Sequence, residues 1–80
     1  MKTLFAITKV ADGLRVLACR NTGQYHYKTK EEGERMLAAI LKNNSSSTLS
    51  SVYGDTSKMR VDPVECYDHG DAVKTILGDA

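Results

Sequence analysis

The stretch that decides the fold is Tyr25–Asn43, YHYKTKEEGERMLAAILKN, which predicts a short strand leading into an amphipathic helix. Thr29 followed by Glu32 forms a capping box, in which the threonine hydroxyl accepts an N–H of the first turn and the glutamate reaches back to the cap. The apolar residues further on recur at helical spacing, namely Met36, Leu37, Ile40 and Leu41. Most such stripes cover a sheet, so we predict that this helix packs on one. The alternative is a face that forms a dimer or a binding groove.

Gly33 interrupts this helical pattern on the side of the apolar stripe. A glycine inside a helix costs about 1 kcal/mol relative to alanine. One interpretation is that the helix backbone packs closely on a strand at this point. The other is that the position is only tolerated.

The chain before the helix predicts an antiparallel meander of three strands. As a strand, residues 4–10 carry apolar side chains on both faces. Residues 14–20 form a second strand that also has apolar side chains on both faces. Asp12-Gly13 between them favours a tight hairpin turn, because both residues tolerate a positive φ. Residues 25–28 form the third strand. Because the first two strands carry apolar side chains on both faces, the face away from the helix also needs a cover, either the C-terminal segment or a second subunit.

The chain after the helix predicts a fourth strand and a short second helix. Residues 59–67 are extended in pattern, and Pro63 within them indicates an edge strand or a break, since proline donates no ladder hydrogen bond. Asp71 is placed to cap a helix with the stripe Val73, Ile76 and Leu77. Residues 45–53 are either part of a polar loop or a short helix. The prediction is thus one α+β domain over residues 1–80.

Composition places the chain among small globular domains. Its 80 residues are 41% hydrophobic and 26% charged, which argues against disorder. Two cysteines are too few for a disulfide framework, and neither a signal peptide nor a membrane span is indicated. We therefore expect a cytoplasmic protein with no membrane association. Residues 1–42 hold eight Lys/Arg against four Asp/Glu, whereas residues 43–80 hold three against six.

The densest cluster of reactive residue types is at residues 65–71, ECYDHGD. Cys66 and His69 have a spacing compatible with a metal, but a structural zinc needs four ligands, and nothing in the sequence brings Cys19 or His26 to them. A cysteine nucleophile with His26 or His69 as its base is the second option, and it needs a lowered thiol pKa. We predict no catalytic residue, no metal and no cofactor.

Two functions fit these patterns. The first is a non-catalytic protein-interaction module, forming a homodimer or binding another protein, which fits the small size, the two-faced strands and the uneven charge. The alternative is a nucleic-acid-binding domain in which tyrosines on the sheet stack on bases and cations hold phosphates. The residues for this alternative are Lys9, Arg15, Arg20, Tyr25, Tyr27 and Lys28.

Overall fold

The computed structural model describes residues 1–42 and 56–80. The helix considered for residues 45–53 lies outside this part of the chain. The described elements are β1 (Lys2–Ala11), β2 (Leu14–Leu17), β3 (His26–Tyr27), α1 (Lys30–Lys42), β4 (Arg60–Cys66) and β5 (Ile76–Asp79), with 3-10 turns at Gly23–Tyr25 and Thr56–Lys58. The strand pairs among these described elements are all antiparallel, so the α+β class is confirmed.

Strand β1 is the centre of the sheet. Thr8 lies opposite both Leu17 and Arg60, so β2 and β4 lie on opposite edges of β1. β3 pairs with the N-terminal half of β1, where Phe5 lies opposite Tyr27. The predicted meander is therefore wrong, since β3 joins β1 and not β2. β1 has ten residues and β2 only four, which leaves backbone of β1 open beyond the end of β2 for β3 to pair with.

The turn signal of the first hairpin and the threonine cap of the helix are confirmed. Asp12 and Gly13 have φ of 53° and 77°, the positive values that a primed turn requires. The N–H of Glu32 donates to the Thr29 hydroxyl at 3.2 Å. α1 packs its inner residues against a core cluster whose buried members are Ile7, Met59 and Val61.

Gly33 marks the close approach of α1 to the sheet. A Cβ built there would lie 2.8 Å from Val61 Cγ1, closer than carbon atoms pack. The first interpretation of this glycine is therefore confirmed. Only part of the predicted stripe is covered, since Leu37 and Ile40 pack on the core while Met36 and Leu41 are 44% and 43% exposed.

The C-terminal segment covers the second face of the sheet, as one of the two alternatives predicted. A second core lies between this segment and the sheet. It consists of Leu4, Ala6, Leu17, Val64, Cys66, Ala72 and Leu77. The segment is held at Ala72, whose N–H donates to the Asn21 side chain at 2.6 Å and whose carbonyl accepts from it at 3.1 Å. A side-chain amide thus bonds Ala72 as a neighbouring strand would.

The predicted C-terminal helix is wrong, because these residues form β5 along the outer edge of β2. Gly78 has φ of 140°, and β5 is bracketed by hydrogen bonds from Leu17 N–H to the Thr75 carbonyl and from Ala80 N–H to the Gly13 carbonyl. A helix of eight residues or so is marginal by itself. The unpaired edge of β2 instead offers hydrogen-bond partners, already held in place by the sheet, to the backbone groups of residues 76–79.

Strand β4 lies at an edge of the sheet, which is one of the two alternatives predicted from Pro63. The Glu65 carbonyl and the Tyr67 N–H bond outward, to Val73 and Asp71. Because backbone groups alternate along a strand, residue 63 also faces outward, where a missing N–H costs no ladder bond. Over residues 60–64 the described chain places no strand on this edge.

Within residues 1–42 and 56–80, no helix combines the length and apolar character needed to cross a membrane.

Candidate functional site

The outer side of α1 forms an open groove against β3. Its lining residues are Tyr27, Glu32, Arg35, Met36 and Ala39, and its volume is about 440 Å³. The four helical members are spaced three, four and seven residues from Glu32, so they share one face of α1. We call this surface the helix groove. Its floor is apolar, and its helical rim carries one negative and one positive side chain.

Tyr27 joins the helix groove to the core. Its ring packs with the cluster under α1 and is partly exposed. Burial raises the pKa of its phenol above the usual value, with smaller effects from Cys19 and Tyr25. The hydroxyl is therefore neutral at physiological pH, and the floor of the helix groove carries no charge.

The six residues predicted to bind nucleic acid are not brought onto one surface. Tyr27 lies opposite Phe5 and shares the α1 face of the sheet with Lys9, whereas Arg15 lies opposite Val10 and faces the other way. Arg15 is also only 9% exposed. The remaining three lie in or beside loops, where Arg20 and Lys28 are exposed and Tyr25 is half-buried. Nucleic-acid binding therefore stays a prediction. The six residues proposed for it do not share one face of the sheet.

Cys66 is next to His26 and not in a pair with His69. Its Sγ lies 3.7 Å from His26 Nδ1, which in turn lies 2.8 Å from the Gly70 carbonyl. The cysteine is fully buried, and burial raises the pKa of its thiol. A nucleophilic cysteine needs the opposite shift and access to a substrate. The arrangement therefore connects β3 to the 67–70 turn, and a separation of forty residues gives the sequence no signal for it.

His69 lies at the surface, with its ring stacked on Tyr67 at a centroid distance of 5.3 Å and Nε2 3.5 Å from an Asp71 oxygen. In the part of the chain that the structure describes, no three His, Cys, Asp or Glu side chains are grouped as metal ligands. Both cysteines are thiols.

A chain of polar side chains at one end of the second core, buried at Thr8 and Arg15 and exposed at Arg60, is a feature that the sequence did not predict. The Thr8 hydroxyl donates to Asp62 Oδ2 at 2.6 Å and accepts from Arg15 Nη1 at 3.4 Å. Arg15 Nη1 also donates to the Lys58 carbonyl at 2.7 Å. Arg60 Nε completes the chain by donating to both oxygens of Asp62, at 3.0 and 2.8 Å. We call Thr8, Arg15, Arg60 and Asp62 the polar chain.

The polar chain holds Asp62 as a carboxylate. Burial alone would raise the pKa of Asp62, but hydrogen bonds from Arg60 and Thr8, together with the charges of Arg60 and Arg15, outweigh it. The pKa therefore lies below its usual value. One sequence signal was available, since Thr8 and Arg15 continue the alternation that places Ala6 and Leu17 in the core.

No family model matches this chain, and no curated protein or solved structure shows significant similarity to it.

Proposed function

We propose that this protein is a non-catalytic protein-interaction module that assembles as a homodimer through the helix groove. The observation that supports this most is the partly exposed apolar floor of the groove, in particular Met36, which is 44% exposed. Met36 is grouped there with Tyr27 and Ala39. Large apolar side chains that the core does not use are typical of binding surfaces when they are grouped.

The charges of the groove favour a second copy as the partner. Glu32 and Arg35 lie one turn apart on the same face of α1. In a twofold dimer whose axis crosses α1 between residues 33 and 34, two antiparallel copies of α1 place Glu32 of one copy beside Arg35 of the other, and the reverse pair forms by symmetry. The groove is therefore self-complementary in charge, while its apolar floor supplies the burial.

Dimerisation by strand addition is less well supported. The exposed edge of β4 contains Pro63, which offers no N–H, and β5 is only four residues long with Gly78 at a positive φ. Proline and short strands are the common means by which sheet edges resist pairing with another chain. These features leave α1 as the better-suited surface.

The test is sedimentation velocity over a concentration series, with a dimer at twice the chain mass of 8.8 kDa as the expected species. Met36→Glu is expected to weaken dimerisation by at least about a hundredfold, because two apolar anchors are lost in a twofold interface. Ala38→Glu is the matched control: it adds the same charge to the same helix at an exposed position outside the groove.

A charge exchange then separates a homodimer from binding to another protein. Glu32→Arg alone is expected to weaken the dimer, and the double variant Glu32→Arg with Arg35→Glu to restore it. Melting temperatures of all variants show whether each remains folded. A mass that stays at one chain at every concentration, or a Met36→Glu protein that dimerises as well as Ala38→Glu, would contradict the proposal.

A further inference from the structure

The three methionines of the chain lie in three different environments. Met59 is 7% exposed and belongs to the core cluster under α1, whereas Met1 is 71% exposed and lies outside the helix groove. Met36 is 44% exposed and lines the floor of the groove. Because an oxidant must reach the sulfur, the thioethers of Met1 and Met36 are open to oxidation in the single chain and that of Met59 is protected.

Oxidation would convert Met36 from an apolar side chain into a polar one. The sulfur gives two electrons to a peroxide such as hydrogen peroxide: an S–O bond forms, the O–O bond breaks, and the other oxygen leaves as water. The resulting sulfoxide is a polar and chiral group at the position of the thioether. In the single chain the groove is open to solvent, so water hydrates the new oxygen.

A dimer formed through the helix groove would remove that water. The cation on the groove rim, Arg35, is already paired with Glu32 of the second copy in the proposed dimer, so turning to the sulfoxide would leave a carboxylate unpaired. Burying one polar oxygen without a hydrogen bond weakens binding by about fivefold or more, and a twofold interface contains two such oxygens. Oxidation at Met36 and assembly through the groove are therefore opposed.

We propose that Met36 is a redox switch for the dimer: a peroxide converts it to the sulfoxide in the single chain and so blocks assembly, while the dimer shields it. This inference rests on the proposed function, because only assembly through the helix groove covers Met36. It follows that the rate of Met36 oxidation falls as the protein concentration rises above the dissociation constant of the dimer. The rate at Met1 stays constant, and Met59 does not react while the protein is folded.

The test is timed exposure to hydrogen peroxide at protein concentrations below and above that dissociation constant. Catalase stops the reaction, and dithiothreitol then returns reversibly oxidised cysteines to thiols while leaving sulfoxides in place. Peptide mass spectrometry measures oxidation at each methionine, and sedimentation velocity measures the dimer. We expect the chain oxidised at Met36 to dimerise at least about tenfold more weakly. Methionine sulfoxide reductases A and B, which act on the two epimers, are expected to restore the dimer.

Met36→Leu is the matched control, since leucine is apolar, of similar volume and has no sulfur to oxidise. Its dimer affinity is compared before and after peroxide, whatever the starting value, and is expected not to change although Met1 is oxidised. The rescue by the reductases decides the question even if this variant does not dimerise.

The outcomes separate the switch from the proposed function. A wild-type dimer that persists with Met36 oxidised, or a Met36→Leu dimer that peroxide dissociates, would overturn the switch and leave the groove dimer standing. A chain that dimerises but oxidises at Met36 equally fast at both concentrations does not use the groove, which would overturn both. A chain that stays single at every concentration would also overturn both, and it is recognised before any peroxide is added.

Discussion

Replacing Gly33 by alanine tests how closely α1 sits on the sheet. In an exposed helix this substitution stabilises a protein by about 1 kcal/mol, because glycine is the poorer helix former. Here the added Cβ would lie 2.8 and 3.3 Å from the two Cγ atoms of Val61 and 3.5 Å from Tyr27 Cδ2. Val61 is 7% exposed and β-branched, so its χ1 angle is restricted and its methyl groups are enclosed by the core.

The overlap is therefore expected to outweigh the gain in helix propensity. Overpacking a core typically costs about 1–3 kcal/mol, and a stiff, buried neighbour places this site in the upper part of that range. The net prediction is that Gly33→Ala lowers the free energy of unfolding by about 1–2 kcal/mol. In a domain of this size the melting temperature falls by about 4–15 °C. Urea unfolding followed by circular dichroism measures the change.

Val61→Ala provides the double-mutant cycle for this contact. Val61→Ala removes both Cγ atoms. Of the three atoms closest to the added Cβ, only Tyr27 Cδ2 then remains, at 3.5 Å, which is an ordinary van der Waals contact. Gly33→Ala should then stabilise the Val61→Ala protein by about 1 kcal/mol, a reversal of sign and a coupling of about 2–3 kcal/mol. Ala38→Gly, at an exposed position of α1, calibrates the propensity effect in this helix.

The outcome that would refute the reasoning is additivity. If Gly33→Ala stabilises the wild-type chain by as much as it stabilises the Val61→Ala chain, α1 does not approach β4 as described.

Two further predictions concern titratable groups. Because the pKa of Asp62 is lowered on folding, its contribution to stability is present above the pKa of the unfolded chain and is lost as pH falls through the folded value. Urea unfolding between neutral pH and pH 3 should therefore show the stability difference between wild type and Asp62→Asn shrinking toward acid; a difference independent of pH would contradict this. Cys66 is fully buried with a raised thiol pKa, so in a Cys19→Ser background it should react with iodoacetamide only as fast as the protein unfolds. Mass spectrometry of the time course measures this, and rapid labelling under native conditions would show that the thiol is accessible.

The sequence by itself determined the elements whose signals are local. The Asp12-Gly13 turn depends on two adjacent residues that accept positive φ, and the start of α1 depends on one hydroxyl three residues before Glu32. Pro63 likewise limited β4 to an edge strand or a broken one, because a missing N–H is a property of that residue alone. Gly33 allowed two interpretations, and the choice between them required knowing where Val61 lies.

Only the tertiary structure decided features that depend on partners distant in sequence. β3 pairs with β1 because β2 is short, and residues 76–79 form a strand because the edge of β2 is unpaired, although their apolar spacing also fits a helix. The same holds for the polar chain and for the contact between Cys66 and His26. The sequence alone suggests that Arg15 is a surface cation, whereas the structure places its guanidinium against Thr8 and the Lys58 carbonyl. Cys66 contacts His26, which is forty residues away in sequence. Local conformational preferences act over a few residues, whereas burial and hydrogen-bond partners are set by which strands become neighbours, and that choice belongs to the whole chain.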